Sequence, residues 1–235
     1  MLIQRALQTQ SFVASLRDSG RGQAVGVLEP EVAQRLALAA AQAAFSLSVN
    51  SGPKSMDLSL AELATLTQPQ HDQMTALIHA GARSGFQYCF DSYRLSDAIE
   101  QGELQQGPLY DFYRSLNSAP VLDLFRQIAG DAAIDFCDAQ VTRYRPGHFL
   151  TQHDDAVDGK GRVMAFVLNL TPQWRADWGG LLLFHGSDGH VEGGYTPGFN
   201  CLNLFKVPKL HAVSQVAAFA GAARLSITGW VRRRA

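Results

Sequence analysis

The stretch LTQHDDAVDG, residues 150–159, places a histidine immediately before two carboxylates. Imidazole nitrogen and carboxylate oxygen are natural donors to a divalent metal. Two histidines and one carboxylate on one side of the ion, with other positions open, suit iron(II). In an extended segment side chains alternate between faces, so His153 and Asp155 point together and Asp154 points away. His153 and Asp155 are then the candidate ligands, and Asp154 is a solvated neighbour or a partner behind them. The competing reading is a turn that carries surface charges. A third ligand must come from a later histidine. His185 and His190 flank GSDG, a hairpin tip, whereas His211 opens HAVSQV after VPKL and stands at a strand edge.

RLSITGW, residues 224–230, is the second stretch with chemical content. Arg224, Ser226 and Thr228 alternate on one face of a strand, and Leu225 and Ile227 on the other. Burying a guanidinium is costly unless it meets an anion, and its planar fork suits a carboxylate. Arg224 with neighbouring hydroxyls is therefore a candidate anion pocket; the alternative is an edge-strand arginine facing water.

The elements that must position these residues change character along the chain. Residues 1–132 read as a mainly helical region. EPEVAQRLALAAAQAAF (29–45) has Pro30 near its start and strong helix formers after it, and SLAELATL continues the pattern with Ser59 three residues before Glu62 as a capping box. QPQHDQMTALIHAGARSG, GPLYDFYRSLN and APVLDLFRQIAG follow as helices, with FQYCFDSYRL as one aromatic-rich strand among them. Residues 133–235 read as eight short strands that start near FCDAQVTRY, HFLTQ, RVMAFVLNL, GLLLFH, HVEGG, FNCLNLF, HAVSQV and ARLSITGWV. Gly- and Pro-rich turns separate them. The expected fold is α+β, a jelly-roll core with the helical region packed on it, in a single domain of residues 1–235.

Composition narrows the function classes. The 235 residues are 46% hydrophobic, and Lys+Arg 20 against Asp+Glu 21 leaves a net charge of −1. No basic footprint for nucleic acid or an anionic membrane is present. Cys89, Cys137 and Cys201 are odd in number and widely spaced, which suggests reduced buried thiols rather than a disulfide framework. The N-terminal MLIQRALQTQSF lacks the features of a signal peptide, and no apolar run is long enough for a membrane span. The expectation is a soluble, cytoplasmic protein. Trp174, Trp178 and Trp230 are expected in the core, Gly179-Gly180 at a turn or close backbone approach, and GRGQAVG lacks the frame of a phosphate loop.

Taken in order, YRPGHFLTQHDD, GRVMAFVLNLTPQW, WGGLLLF, NLFKVPKLHAVSQV and ARLSITGW resemble the iron(II)- and 2-oxoglutarate-dependent dioxygenases. The resemblance is to their prolyl-hydroxylase branch, which includes the oxygen-sensing and ribosomal-protein prolyl hydroxylases. It spans roughly residues 86–232 and is strongest after Tyr144. It implies that His153, Asp155 and His211 are the iron ligands and carry the catalysis. It implies that Arg224 pairs with the distal carboxylate of 2-oxoglutarate, with Tyr144, Thr228 and Ser226 around the cosubstrate, and it leaves Asn169 in a shared LN of less certain role. Val167 departs from the pattern, because several relatives carry there a tyrosine that reaches the cosubstrate.

The implied reaction couples oxidation of 2-oxoglutarate by O2, giving succinate and CO2, to hydroxylation of a second substrate, with ascorbate as a candidate reductant. The branch favours a prolyl residue in a protein or peptide; a small molecule is the nearest enzymatic alternative. A cupin-like metal-binding or sensor protein would need the histidines but not Arg224. A structural zinc site would want a fourth protein ligand.

Overall fold

The structure, a computed structural model, describes residue 7, residues 10–52 and residues 54–234. The alternation in RLSITGW is realised in the longest strand of the barrel. β13 (Arg224–Arg233) turns Leu225, Ile227 and Val231 into the main hydrophobic core and Arg224, Thr228 and Trp230 to a cavity on its other face. It lies between β8 (Arg162–Asn169) and β6 (Gln140–Tyr144), and β5 (Ile134–Cys137) pairs with its far end. The same alternation divides β8, which sends Met164, Phe166 and Leu168 to the main core and packs Ala165 and Val167 in a separate inner cluster.

Four strands come from the first part of the chain: β1 (Arg21–Val25), β2 (Ser46–Ser51), β3 (Lys54–Ser59) and β4 (Tyr88–Tyr93). The later ones are β7 (Phe149–His153), β9 (Leu182–His185), β10 (Val191–Tyr195), β11 (Cys201–Lys206) and β12 (His211–Val213). Their order is β1-β11-β8-β13-β6-β4-β7-β12-β9-β10, every pairing is antiparallel, and the whole forms a nearly closed barrel of the double-stranded β-helix kind. Arg21 of β1 reaches across the remaining gap to Glu192 of β10, donating to its carbonyl at 3.3 Å.

Seven helices among the described residues precede the second half: α1 (Gln10–Ser19), α2 (Pro30–Ala41), α3 (Leu60–Leu63), α4 (Gln68–Ser84), α5 (Leu95–Glu100), α6 (Pro108–Leu116) and α7 (Ala119–Ala129). Proline at the first or second position opens α2, α4, α6 and α7, where a missing N–H costs nothing. Phe12 and Leu16 of α1, Leu36 of α2 and Val121 and Phe125 of α7 pack with the outward residues of β8, β11 and β13. The mixed α+β architecture and the packed helical layer are as the sequence suggests.

The first part of the chain is nevertheless less helical than expected. GRGQAVG contributes β1, where the ring of Phe12 covers Gly22 so closely that a Cβ would lie 2.8 Å from it. The helix expected over 29–45 ends at Ala41, β2 and β3 pair as a hairpin in the stretch between the two expected helices, and of SLAELATL only 60–63 are helical, with Ser59 accepting from the Glu62 amide at 3.4 Å. FCDAQVTRY is two strands, broken where Asp138 approaches β13: a Cβ on Gly229 would overlap the Asp138 carbonyl oxygen. No helix among the described residues is long and apolar enough to cross a membrane.

Candidate active site

His153 ends β7, His211 begins β12, and the two are direct cross-strand partners with ring centroids 4.1 Å apart. The Nδ1 atom of His153 donates to the Thr151 carbonyl at 3.0 Å, and that of His211 to the Lys209 carbonyl at 2.7 Å. A carbonyl oxygen can only accept, so both rings carry the Nδ1 proton and leave Nε2 free to donate its lone pair. Asp155 completes the group. Its Oδ1 lies 3.5 Å from His153 Nε2, its Oδ2 lies 3.5 Å from His211 Nε2, and ligand atoms of all three fall within 4.8 Å of one another.

Asp155 arrives by a route that strand alternation does not describe. The strand ends at His153, and Asp155 has φ 65, a left-handed backbone, at the start of a loop. The carboxylate expected beside His153 is the right one, but a turn puts it there. Asp154 directs its side chain to the Ala156 amide at 3.0 Å and stands outside the cluster. His185 and His190 also lie outside it, at the end of β9 and in the exposed hairpin turn that follows. Burial and the adjacent His153 push the His211 imidazole down to about 4, so it is neutral at pH 7 and available to a cation. Burial works to raise the Asp155 carboxyl, but the imidazoles of His153 and His211 outweigh it and hold it below the ordinary carboxylate range.

A cavity of about 530 Å³ lies against the cluster and reaches Arg224. Arg224 is 1% exposed, and its Nε and Nη1 have no hydrogen-bond partner in the protein. Burial pushes its pKa down, and the Tyr144 ring, 5.2 Å from the guanidinium carbon, is the aromatic face it meets. Such a buried cation is costly unless an anion joins it. Tyr144, whose phenol burial pushes up, stacks on Phe90 at 5.0 Å and lines the same cavity. Thr228 lines it too, opposite Val167 across the β13–β8 pair. Ser226 does not: its hydroxyl donates to Asn169 Oδ1 at 3.3 Å, and Asn169 Nδ2 donates to the Cys201 carbonyl. Ser226 and Asn169 therefore lock β8, β11 and β13 together behind the cavity. The donor set fits a facially held divalent cation, and the unpaired guanidinium fits the far end of an acidic ligand reaching it.

Residues 139–232 match the model of the 2OG-Fe(II) oxygenase superfamily. These residues belong to that superfamily. Several of the proteins the chain resembles are prolyl hydroxylases. The chain is 35% identical over 100 residues to the mouse prolyl 3-hydroxylase OGFOD1, a match that covers 40% of this chain and 18% of the mouse protein. The chain therefore spans only about a fifth of that relative's length. A crystal structure of a Pseudomonas putida prolyl-4-hydroxylase superposes with a TM-score of 0.61 at 19% identity, covering 95% of this chain and 98% of that one. A Trichoplax adhaerens prolyl hydroxylase, in complex with a hypoxia inducible factor oxygen degradation domain peptide, gives 0.62 at 19% identity over 98% and 90% of the two chains. At those identities the structures show the shared fold.

Within this 2OG-Fe(II) oxygenase segment and the strands beside it, several cavity residues were not singled out from the sequence. Trp230, expected in the core, lines the cavity, with the Arg162 guanidinium 3.6 Å from its ring centroid. Its signal was present, since it shares the β13 face of Arg224 and Thr228. Phe86, Tyr88 and Phe90 form an alternating aromatic wall, and Phe86 is 47% exposed at the rim beside His153, with ring centroids 5.3 Å apart. The other tryptophans support the arginine end. Trp174 donates to the Gly179 carbonyl at 2.9 Å and meets Trp178 edge-on, and a Cβ on Gly180 would press on both Trp174 and Val216.

Proposed function

We propose that this protein is an iron(II)- and 2-oxoglutarate-dependent dioxygenase that hydroxylates a prolyl residue in a protein or peptide. The observation that carries the reading is the buried, unpaired Arg224 in the same cavity as His153, Asp155 and His211. A metal-binding or sensor protein of the same fold would have no use for such an arginine. Iron(II) with 2-oxoglutarate would supply the oxidising chemistry, in which O2 converts 2-oxoglutarate to succinate and CO2 and delivers one oxygen atom to the substrate.

The chain's residues bind, orient and exclude water. His153, Asp155 and His211 would hold the cation on one side, leaving its other positions to the cosubstrate and O2. Arg224 would pair with the distal carboxylate of 2-oxoglutarate, with the Thr228 hydroxyl nearby and Val167 adding only an apolar wall. Phe90, Leu150 and Val213 line the cavity with Tyr144 and keep it dry, which strengthens that ion pair. For the substrate, the aromatic rim at Phe86 and Tyr88 suits an apolar ring such as that of proline, and the prolyl hydroxylases among the relatives support the same class.

The test is an anaerobic visible spectrum of the metal-free protein titrated with iron(II) and then 2-oxoglutarate. A charge-transfer band that needs both, and that is absent in His153→Ala, is expected. Iron binding without the band would overturn the cosubstrate assignment. If the band appears, proline-containing peptides should stimulate succinate formation and gain one oxygen atom. Stimulation by small molecules alone would remove the prolyl assignment.

A further inference from the structure

Asp155 is the one member of the cluster that no strand carries. It is buried, yet the residues that follow it, 156–160, are all exposed. Its φ of 65 is a conformation that a residue with a Cβ rarely adopts, so something must hold it there. Two contacts steady its neighbour Asp154: the side-chain bond to the Ala156 amide and the Lys209 amide donating to the Asp154 carbonyl at 3.3 Å. Besides its approach to the two imidazoles, Asp155 is held from the other end of the loop. Arg162 Nη1 donates to the Asp155 carbonyl at 3.0 Å and lies 3.6 Å from its Oδ1.

Arg162 is itself fixed from two sides. It opens β8 just after Gly161, whose carbonyl accepts from the Arg233 amide at 2.8 Å and whose φ of 60 leaves no room for a Cβ against the Arg233 carbonyl oxygen. Its guanidinium stands over the Trp230 ring, with 3.6 Å from its central carbon to the ring centroid. A rigid strand end, an aromatic plate and a planar fork thus bear on one backbone carbonyl. Lysine, a point charge on a flexible stem, could not make the stack and the directed bond together.

We propose that Arg162 is a positioning residue: seated on Trp230, it closes the loop of residues 154–161 and holds Asp155 in the left-handed conformation that aims its carboxylate at the metal. The proposal rests on the metal-site reading above. A competing effect has the opposite sign, because a cation near Asp155 also repels a metal cation and competes for the carboxylate.

The test measures iron(II) affinity by anaerobic equilibrium titration of the full chain, alongside hydrogen exchange of the metal-free loop. Arg162→Met should weaken iron(II) binding about 10- to 100-fold, the range for partners that orient metal ligands, and speed exchange at residues 155–160. Arg162→Lys should not restore either. Unchanged affinity in Arg162→Met, tighter binding in it, or wild-type behaviour in Arg162→Lys would each overturn the clamp. If Arg162→Met does not fold, Arg162→Lys decides alone, since it keeps the charge and loses the fork and the stack. Failure of the parent reading looks different: wild-type protein would bind no iron(II), or Asp155→Ala would bind it as well as wild type, whereas failure of the clamp alone leaves both controls intact.

Discussion

Asp154 and Asp155 are chemically identical neighbours with opposite fates. One carboxylate stabilises a turn amide, and the other sits between two imidazole Nε2 atoms. His153→Ala or Asp155→Ala is expected to abolish iron(II) binding and turnover, and Asp154→Ala to leave both near wild type, read by the same titration. Equal losses at the two aspartates would show that the loop is disturbed as a unit. Arg224 gives a sharper test, because its contributions to stability and to function have opposite signs. Arg224→Met removes a buried guanidinium with unpaired nitrogens and should stabilise the ligand-free protein by about 1 kcal/mol or more in denaturant titration. It should weaken 2-oxoglutarate binding by about 2–5 kcal/mol, the scale for truncating one partner of a buried charge pair. A destabilised, fully active variant would mean that Arg224 serves packing.

β13 does two jobs by alternation, presenting Arg224, Thr228 and Trp230 to the cavity and Leu225, Ile227 and Val231 to the core. A residue that couples both faces to a neighbouring strand should therefore be unforgiving. Gly229→Ala drives a Cβ into the Asp138 carbonyl oxygen and is expected to cost about 1–3 kcal/mol, the range for overpacking, with loss of cosubstrate binding as β13 shifts. Thermal melting and the iron(II)/2-oxoglutarate spectrum check the two effects separately. The break between β5 and β6, which the apolar pattern of FCDAQVTRY does not mark, has its cause in that same close approach.

At the scale of the whole molecule, the helices and the cavity lie on opposite faces of the same strands. Phe125 of α7 is 0% exposed and belongs to the main core. Phe125→Ala should lower stability by about 3–5 kcal/mol while the protein that remains folded binds iron(II) as wild type does. A matching loss of metal affinity would show that the helical layer shapes the site as well as supporting the sheet. The barrel also recruits strands from the first part of the chain, where the alternating pattern is short. SLSVNS and KSMDLS alternate polar with apolar residues over a short span: Leu47 and Val49 are buried against Ile78 and Phe149, and the Ser48 hydroxyl meets Asp57 and Ser92.

The sequence by itself determined the second-half strands apart from the β5–β6 break, the faces of β13, the helices announced by Pro30, Pro69, Pro108 and Pro120, and the residue types of the site. Periodicity and cap chemistry are local, and local physics is written in neighbouring residues. The family resemblance already implied His211 as the partner of His153; the tertiary structure supplies the means, the register of β12 against β7. The fold also decided that Asp155 enters by a left-handed turn that Arg162 contacts from the far end of its loop, that Ser226 is spent on Asn169, and that Arg224 is left unpaired in the cavity. Each of these depends on what the chain brings back from a distance to fill or leave empty a hydrogen bond, and no spacing along the sequence encodes that.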